Sequence, residues 1–211
     1  PYFTKAIIVV EDSRFYRHSG IDHKGLVRAL WTNMRQKRIA QGGSTITQQL
    51  SKNLFFSFER NWIRKIKELL IAFQLEASFS KGQILQAYCN QIYFGSGAYG
   101  VEEASQVYFR QRAKDLTLYQ AALLAGLPNS PNNANPFAHY EKAMQRTKYV
   151  LNRMVSENLI SVDEKELALQ SDIDLVMPQV ESNPNLYFVD QVLEEIEKVY
   201  GKEFAHFGGL K

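Results

Sequence analysis

Four places in this chain carry a Ser or Thr followed three residues later by Gln or Glu at the head of an apolar periodic run: Thr45 with Gln48, Ser80 with Gln83, Thr117 with Gln120, and Ser161 with Glu164. That spacing is a capping box: the hydroxyl accepts from an orphan backbone N–H of a helix, and the Gln or Glu side chain reaches back to the cap. Strand-like alternation is scarce, so the chain is expected to be mainly α. At 211 residues and 45% hydrophobic content it can build one compact core and is short for two ordinary domains.

The apolar periods place the helices. Trp62, Ile66, Leu69 and Phe73 share one face of a helix whose second half carries Ile71, Ala72 and Leu75 on the other side. A helix apolar all round is expected to be buried. Arg64 and Glu68 fall one turn apart on the side shared by Ile71 and Leu75, so they are expected to enter the interior or a cleft. Ile84, Leu85, Tyr88 and Ile92 mark the next helix, ended by Gly95, Gly97 and Gly100, which permit φ > 0, before a restart over residues 101–108. No strand precedes this glycine loop, which argues against a dinucleotide fold. Residues 117–127 read as a short buried helix stopped by Gly126 and Pro128, and Ala143, Thr147, Val150, Leu151 and Met154 as a core face. Beyond Pro178 the chain becomes linker-like and then forms a charged helix over 186–200. The boundary is therefore expected near Pro178, with residues 1–178 the main domain and 179–211 a linker and lead-in.

The net charge of +3 does not call for nucleic acid, and none is expected as a partner. The single cysteine, Cys89, excludes an internal disulfide and reads as an inert core residue. With no initiator methionine, no signal peptide and no run of eighteen apolar residues, the chain is expected to be excised from something longer, its anchor not included.

Chemistry concentrates in three segments. Glu11 follows the apolar run Ala6-Ile7-Ile8-Val9-Val10, and a carboxylate among apolar neighbours has its pKa raised toward that of a general base. Read alone, Glu11 fits a structural role equally well. His18, Asp22 and His23 match no metal-ligand spacing, so hydrogen-bonded structural roles are expected for the histidines. Gly42-Gly43 leads into Ser44, Thr45, Thr47, Gln48 and Gln49, donors at a helix start that suit an anion. Lys52, Arg60, Arg64, Lys65 and Lys67 follow, interleaved with Phe55, Phe56, Phe58 and Trp62. Such a run is either a solvated charged face or a segment lying in a lipid headgroup layer.

Together these residues resemble the peptidoglycan glycosyltransferase domain, glycosyltransferase family 51, of bifunctional class A penicillin-binding proteins. The resemblance spans residues 6–154 and rests on Glu11-Asp12 with Phe15, His18 and Gly20; Gly43-Ser44-Thr45 with Thr47-Gln48-Gln49; and Arg64-Lys65 with Glu68. It continues through Tyr88, Asn90, Phe94-Gly95, Gly97 and Gly100 to Ala125-Gly126-Leu127-Pro128 with Pro131. It implies a lysozyme-like helical fold with a second, smaller membrane-contacting lobe. It also implies polymerisation of lipid II into β-1,4-linked glycan, with inversion and release of undecaprenyl pyrophosphate, on the outer face of the bacterial cytoplasmic membrane. The implied partners are lipid II and the growing glycan chain, the membrane surface, and a transpeptidase domain of the same full-length chain. That domain's serine motifs are not found in residues 1–211, so penicillin binding is not expected of them.

The resemblance carries the catalytic glutamate onto Glu11, with Glu68 as the second catalytic candidate. Asp12, Ser44, Thr45, Gln48, Gln49, Lys52, Arg60, Arg64, Lys65 and Asn90 become candidate substrate contacts. No organic cofactor is expected. Glu68 either orients the basic cluster or holds a divalent cation, magnesium or manganese, at the pyrophosphate. A lysozyme-like hydrolase would have no use for a pyrophosphate clamp, and a non-catalytic lipid-docking module would have no use for Glu11.

Overall fold

The computed structural model describes residues 2–36, 43–56, 62–131, 133–171 and 173–176. Nine α-helices are found among them, in the order α1 (Tyr2–Glu11), α2 (His23–Gln36), α3 (Ile46–Phe55), α4 (Trp62–Ser78), α5 (Lys81–Gln91), α6 (Val101–Phe109), α7 (Leu118–Gly126), α8 (Tyr140–Ser156) and α9 (Val162–Gln170). Short 3-10 turns lie at Phe15–Arg17 and Ala113–Asp115, and among the described residues strand pairing is limited to one isolated bridge between Tyr93 and Tyr99. The chain is therefore mainly α. Its contacts divide it into a unit of Pro1–Val176 and another of Met177–Lys211. The second unit, with the expected boundary at Pro178 and the expected helix over 186–200, lies outside the described residues.

The capping chemistry sets the helix starts. Ser80, Thr117 and Ser161 close full capping boxes with Gln83, Gln120 and Glu164. The box at Thr45 is only half made: its hydroxyl accepts from the Gln48 backbone N–H, but the Gln48 amide donates to Gly20 O (3.1 Å) instead of reaching back. Gly20 makes this possible. At φ +90° it adopts a backbone that an L side chain strains to hold, and its carbonyl also accepts from Thr45 Oγ1 (2.7 Å). Gly100 is also constrained, since at φ +84° a Cβ would lie 2.7 Å from the Asn90 carbonyl oxygen.

Every residue of α7 is buried, and this helix packs against α1 and α8. From α8 it receives the expected face of Ala143, Thr147, Val150, Leu151 and Met154; from α1 it receives Phe3, Ala6, Ile7 and Val9. Each fully buried Leu or Ile contributes roughly 1.5–3 kcal/mol relative to exposure. α3 packs on α4 and α5, and hydrogen bonds to Glu11 and Asp12 join its first turn to the end of α1. Cys89 is buried, and burial pushes its thiol up to about 12, the inert thiol that the sequence implies.

α4 departs from expectation. Only Glu68 and Ala72 are buried in it, while Trp62 (87% exposed), Ile63, Ile66, Leu70 and Phe73 stand open. α4 meets α3 along one stripe and α5 to a lesser extent, and these contacts leave its apolar row exposed. Apolar periodicity cannot distinguish a covered face from an uncovered one. No helix among the described residues is long and apolar enough to cross a membrane.

Candidate active site

The candidate polar residues converge because three helix ends meet. α1 delivers Glu11 and, just past its end, Asp12; the start of α3 delivers Ser44, Thr45, Gln48 and Gln49, with Lys52 one turn on; and the first turns of α4 deliver Arg64, Lys65 and Glu68. All of these line one cleft of about 480 Å³. Arg60, with Gly42 and Phe58, lies outside the described residues. Asn90 is not brought in. It is exposed on α5, off the face that buries Ile84, Leu85 and Tyr88, and the cleft lining does not include it.

Glu11 sits at the seam. Its Oε2 accepts from Gln49 Nε2 at 2.9 Å, while its Oε1 is buried with no hydrogen-bond partner. Burial raises the carboxyl pKa above its ordinary value; the Gln49 hydrogen bond and the Arg146 charge pull it back, and Asp12 adds to the rise. The result is a carboxylate with one oxygen held and the other bare.

Several candidate substrate contacts, besides lining the cleft, hold the seam together. Asp12 is buried and accepts from His18 Nε2 (3.0 and 2.9 Å) and from the Ile46 backbone N–H (3.1 Å), the first amide of α3. A carboxylate at a helix N-terminus meets orphan donors and the positive end of the dipole. His18 thus has the structural role expected of it. Thr45 and Gln48 are turned to Gly20, and Gln49 to Glu11.

The cationic wall is organised by Glu68. Its carboxylate, 2% exposed, accepts from Arg64 Nη1 and from Lys65 Nζ (3.0 Å). Lys65 Nζ also reaches Ser44 Oγ (3.2 Å) and Gln48 Oε1 (3.5 Å), and the Lys65 side chain remains partly exposed along the cleft. Both Glu68 oxygens meet cationic side chains in this arrangement, so the carboxylate orients the basic cluster. Among the described residues, no group of three or more His, Cys, Asp or Glu could hold a metal.

The opposite wall went unread in the sequence. Arg146, Tyr149 and Arg153 of α8 line the cleft, with the Arg146 guanidinium 4.9 Å from the centre of the Tyr149 ring. Their spacing of three and four residues is a helical stripe beside the core face of the same helix, and it was the one available signal. Asn129, just after α7, also lines the cleft.

A mainly helical domain with a half-held buried carboxylate facing a cationic wall is the frame into which the comparisons with known proteins fall. The family described as Transglycosylase matches residues 1–155. Penicillin-binding protein 1A of Aquifex aeolicus (strain VF5) is 48% identical over 206 residues, 98% of this chain and 28% of that protein. Penicillin-binding protein 1A of Neisseria meningitidis serogroup A is 41% identical over 208 residues, covering 98% of this chain and 26% of the relative. Among solved structures, Penicillin-Binding Protein 1A from Haemophilus influenzae aligns with 28% identity and a TM-score of 0.46 over 76% of this chain and 20% of its own. The chain belongs to the transglycosylase family. It spans about a quarter of the length of these relatives.

Proposed function

We propose that this domain polymerises lipid II into β-1,4-linked glycan by a single inverting displacement. The growing chain is the donor, lipid II the acceptor, and undecaprenyl pyrophosphate the leaving group. The observation that carries the reading is the shared cleft, which Glu11 lines together with Lys52, Arg64 and Lys65.

The chemistry follows from what each group is able to do. The acceptor 4-hydroxyl is a poor nucleophile at neutral pH. Glu11 takes its proton as the oxygen bonds to the anomeric carbon, a contribution of roughly 10²- to 10⁴-fold. As that bond forms, the bond from the anomeric carbon to the pyrophosphate oxygen breaks, and the electron pair leaves with the diphosphate. A diphosphate needs its charge met more than it needs a proton. Lys52, Arg64 and Lys65 meet it as charge-assisted donors, Glu68 holding the last two in place. One displacement without an enzyme nucleophile inverts the anomeric centre. Asp12, Thr45 and Gln48 act one step back, fixing the start of α3 beside Glu11.

The exposed row of Trp62, Ile63, Ile66, Leu70 and Phe73 is proposed to face the lipid surface, rings and aliphatic chains inward, where the substrate's lipid tail resides. In the full-length protein the domain is proposed to precede a transpeptidase domain on the outer face of the cytoplasmic membrane.

The test is incubation of the chain with labelled lipid II. Long β-linked glycan is expected from the wild type and none from Glu11→Gln, while both bind lipid vesicles. Polymer from Glu11→Gln, or shortening of a pre-made glycan by the wild type, overturns the reading.

A further inference from the structure

Behind Glu11 lies a second polar contact that the mechanism has not used. Tyr88 of α5 is fully buried, and its hydroxyl donates to Gln49 Oε1 at 3.0 Å, while the other end of the same amide donates from Nε2 to Glu11 Oε2 at 2.9 Å. Three helices thus contribute one chain of hydrogen bonds: the α5 phenol, the α3 amide and the α1 carboxylate.

An amide has two ends of similar shape and opposite hydrogen-bonding sense. The ionised Glu11 favours the amide's N–H end, and a phenol that donates to Gln49 Oε1 reinforces that sense from the far side and fixes the amide in place. We propose that Tyr88 is a positioning residue for Glu11, acting through Gln49: it locks the amide so that Glu11 Oε2 is always held by a donor and Oε1 is left as the proton-accepting oxygen. This rests on the assignment of Glu11 as the base.

The arrangement suits both protonation states. When Oε1 takes a proton, Oε2 becomes the carbonyl-like oxygen of a carboxylic acid and still accepts from Gln49, so nothing behind the carboxyl has to turn. The charged and titratable groups around Glu11 are Asp12 next to it in sequence, Arg146 from α8 and Tyr88 from α5. Burial, with Glu11 as the nearest charge, holds the phenol well above its ordinary pKa, so Tyr88 remains a donor throughout the working range.

The sign follows. A donor to Oε2 favours the carboxylate, so loosening it raises the pKa of Glu11 and moves the acid limb of the pH–rate profile to higher pH. In lipid II polymerisation, Tyr88→Phe is expected to shift the acid limb of kcat/KM upward by roughly half to one pH unit, a loss about three- to tenfold larger on the limb than on the plateau. Gln49→Ala is expected to shift it at least as far, and Tyr88→Phe in that background no further. Tyr108→Phe removes another buried phenol, one bonded to the Phe94 carbonyl at 2.9 Å away from the cleft, and is expected to keep the wild-type limb.

A Tyr88→Phe limb that coincides with the wild type, or a loss uniform at every pH, overturns the proposal. If Tyr88→Phe fails to fold, an unshifted limb in Gln49→Ala overturns it equally. Activity in Glu11→Gln instead overturns the base assignment itself, so the two failures read differently.

Discussion

Glu68 and Lys65 form an ion pair 3.0 Å long with unequal halves: the Glu68 side chain is 2% exposed and the Lys65 side chain 39%. Removing one partner is therefore not equivalent to removing the other. Lys65→Ala withdraws a solvent-screened charge and is expected to cost folding no more than about 1 kcal/mol. Its turnover of lipid II is expected to fall on the order of 10²-fold, as for loss of a transition-state donor. Urea unfolding set beside initial polymerisation rates checks both halves, and normal turnover would count against the clamp.

Glu68→Gln is the reciprocal case. It removes the buried acceptor that Arg64 and Lys65 share and leaves two partly exposed cations side by side, for which a loss of about 1–3 kcal/mol is expected. Thermal melts of this variant should fall well below those of Lys65→Ala. Similar melting temperatures would show that Glu68 is not the hub of the wall.

Glu11 gives a pH prediction with a definite sign. Its folded pKa is raised, chiefly by burial, so the native state binds the proton more tightly than the unfolded chain does. The stability it confers is fully present below the ordinary carboxylate pKa and is lost as pH rises through the folded value. Glu11→Gln is thus expected to melt higher than the wild type at neutral pH, about 2–4 °C for each kcal/mol relieved, with the gap closing in acid. Scanning calorimetry at pH 7 and pH 4 decides it, and a variant less stable at pH 7 would contradict the origin of the shift.

Asp12→Ala tests the seam. The substitution removes the acceptor of His18 and of the first amide of α3, and a loss on the order of 3 kcal/mol is expected. Polymerisation by the surviving folded fraction, normalised by circular dichroism, should fall much less than in Glu11→Gln. A fully folded but inactive Asp12→Ala would make Asp12 a substrate contact after all.

Trp62→Ser should leave unfolding within about 0.5 kcal/mol of the wild type, because so little of the ring is buried. Cosedimentation with anionic vesicles is expected to weaken several-fold. Unchanged partition would detach the apolar row of α4 from the lipid surface.

The helices themselves were legible because capping and apolar period are local. Ser80 with Gln83 and the α8 face of Ala143, Thr147 and Val150 needed no distant partner to be read. Glu11, Lys65 and Glu68 were legible because each stands in a dense polar segment. The exposure of α4 was not, because periodicity records which residues share a face and not whether another element covers it. Nor was the α8 wall, where Arg146, Tyr149 and Arg153 share a helix with core residues and belong to no motif that would single them out.

By itself, then, the sequence determined where helices start, which faces are apolar and which carboxylates and cations are available, since these depend on neighbours within a few residues. Only the tertiary structure decided that Asp12, Thr45 and Gln48 brace the seam while Glu11 keeps one oxygen bare, and that Tyr88 stands behind Gln49. Those outcomes depend on which of many equivalent donors and acceptors lie within hydrogen-bond reach. Reach between α1, α3 and α5 is fixed by packing, and residue order along the chain does not state it.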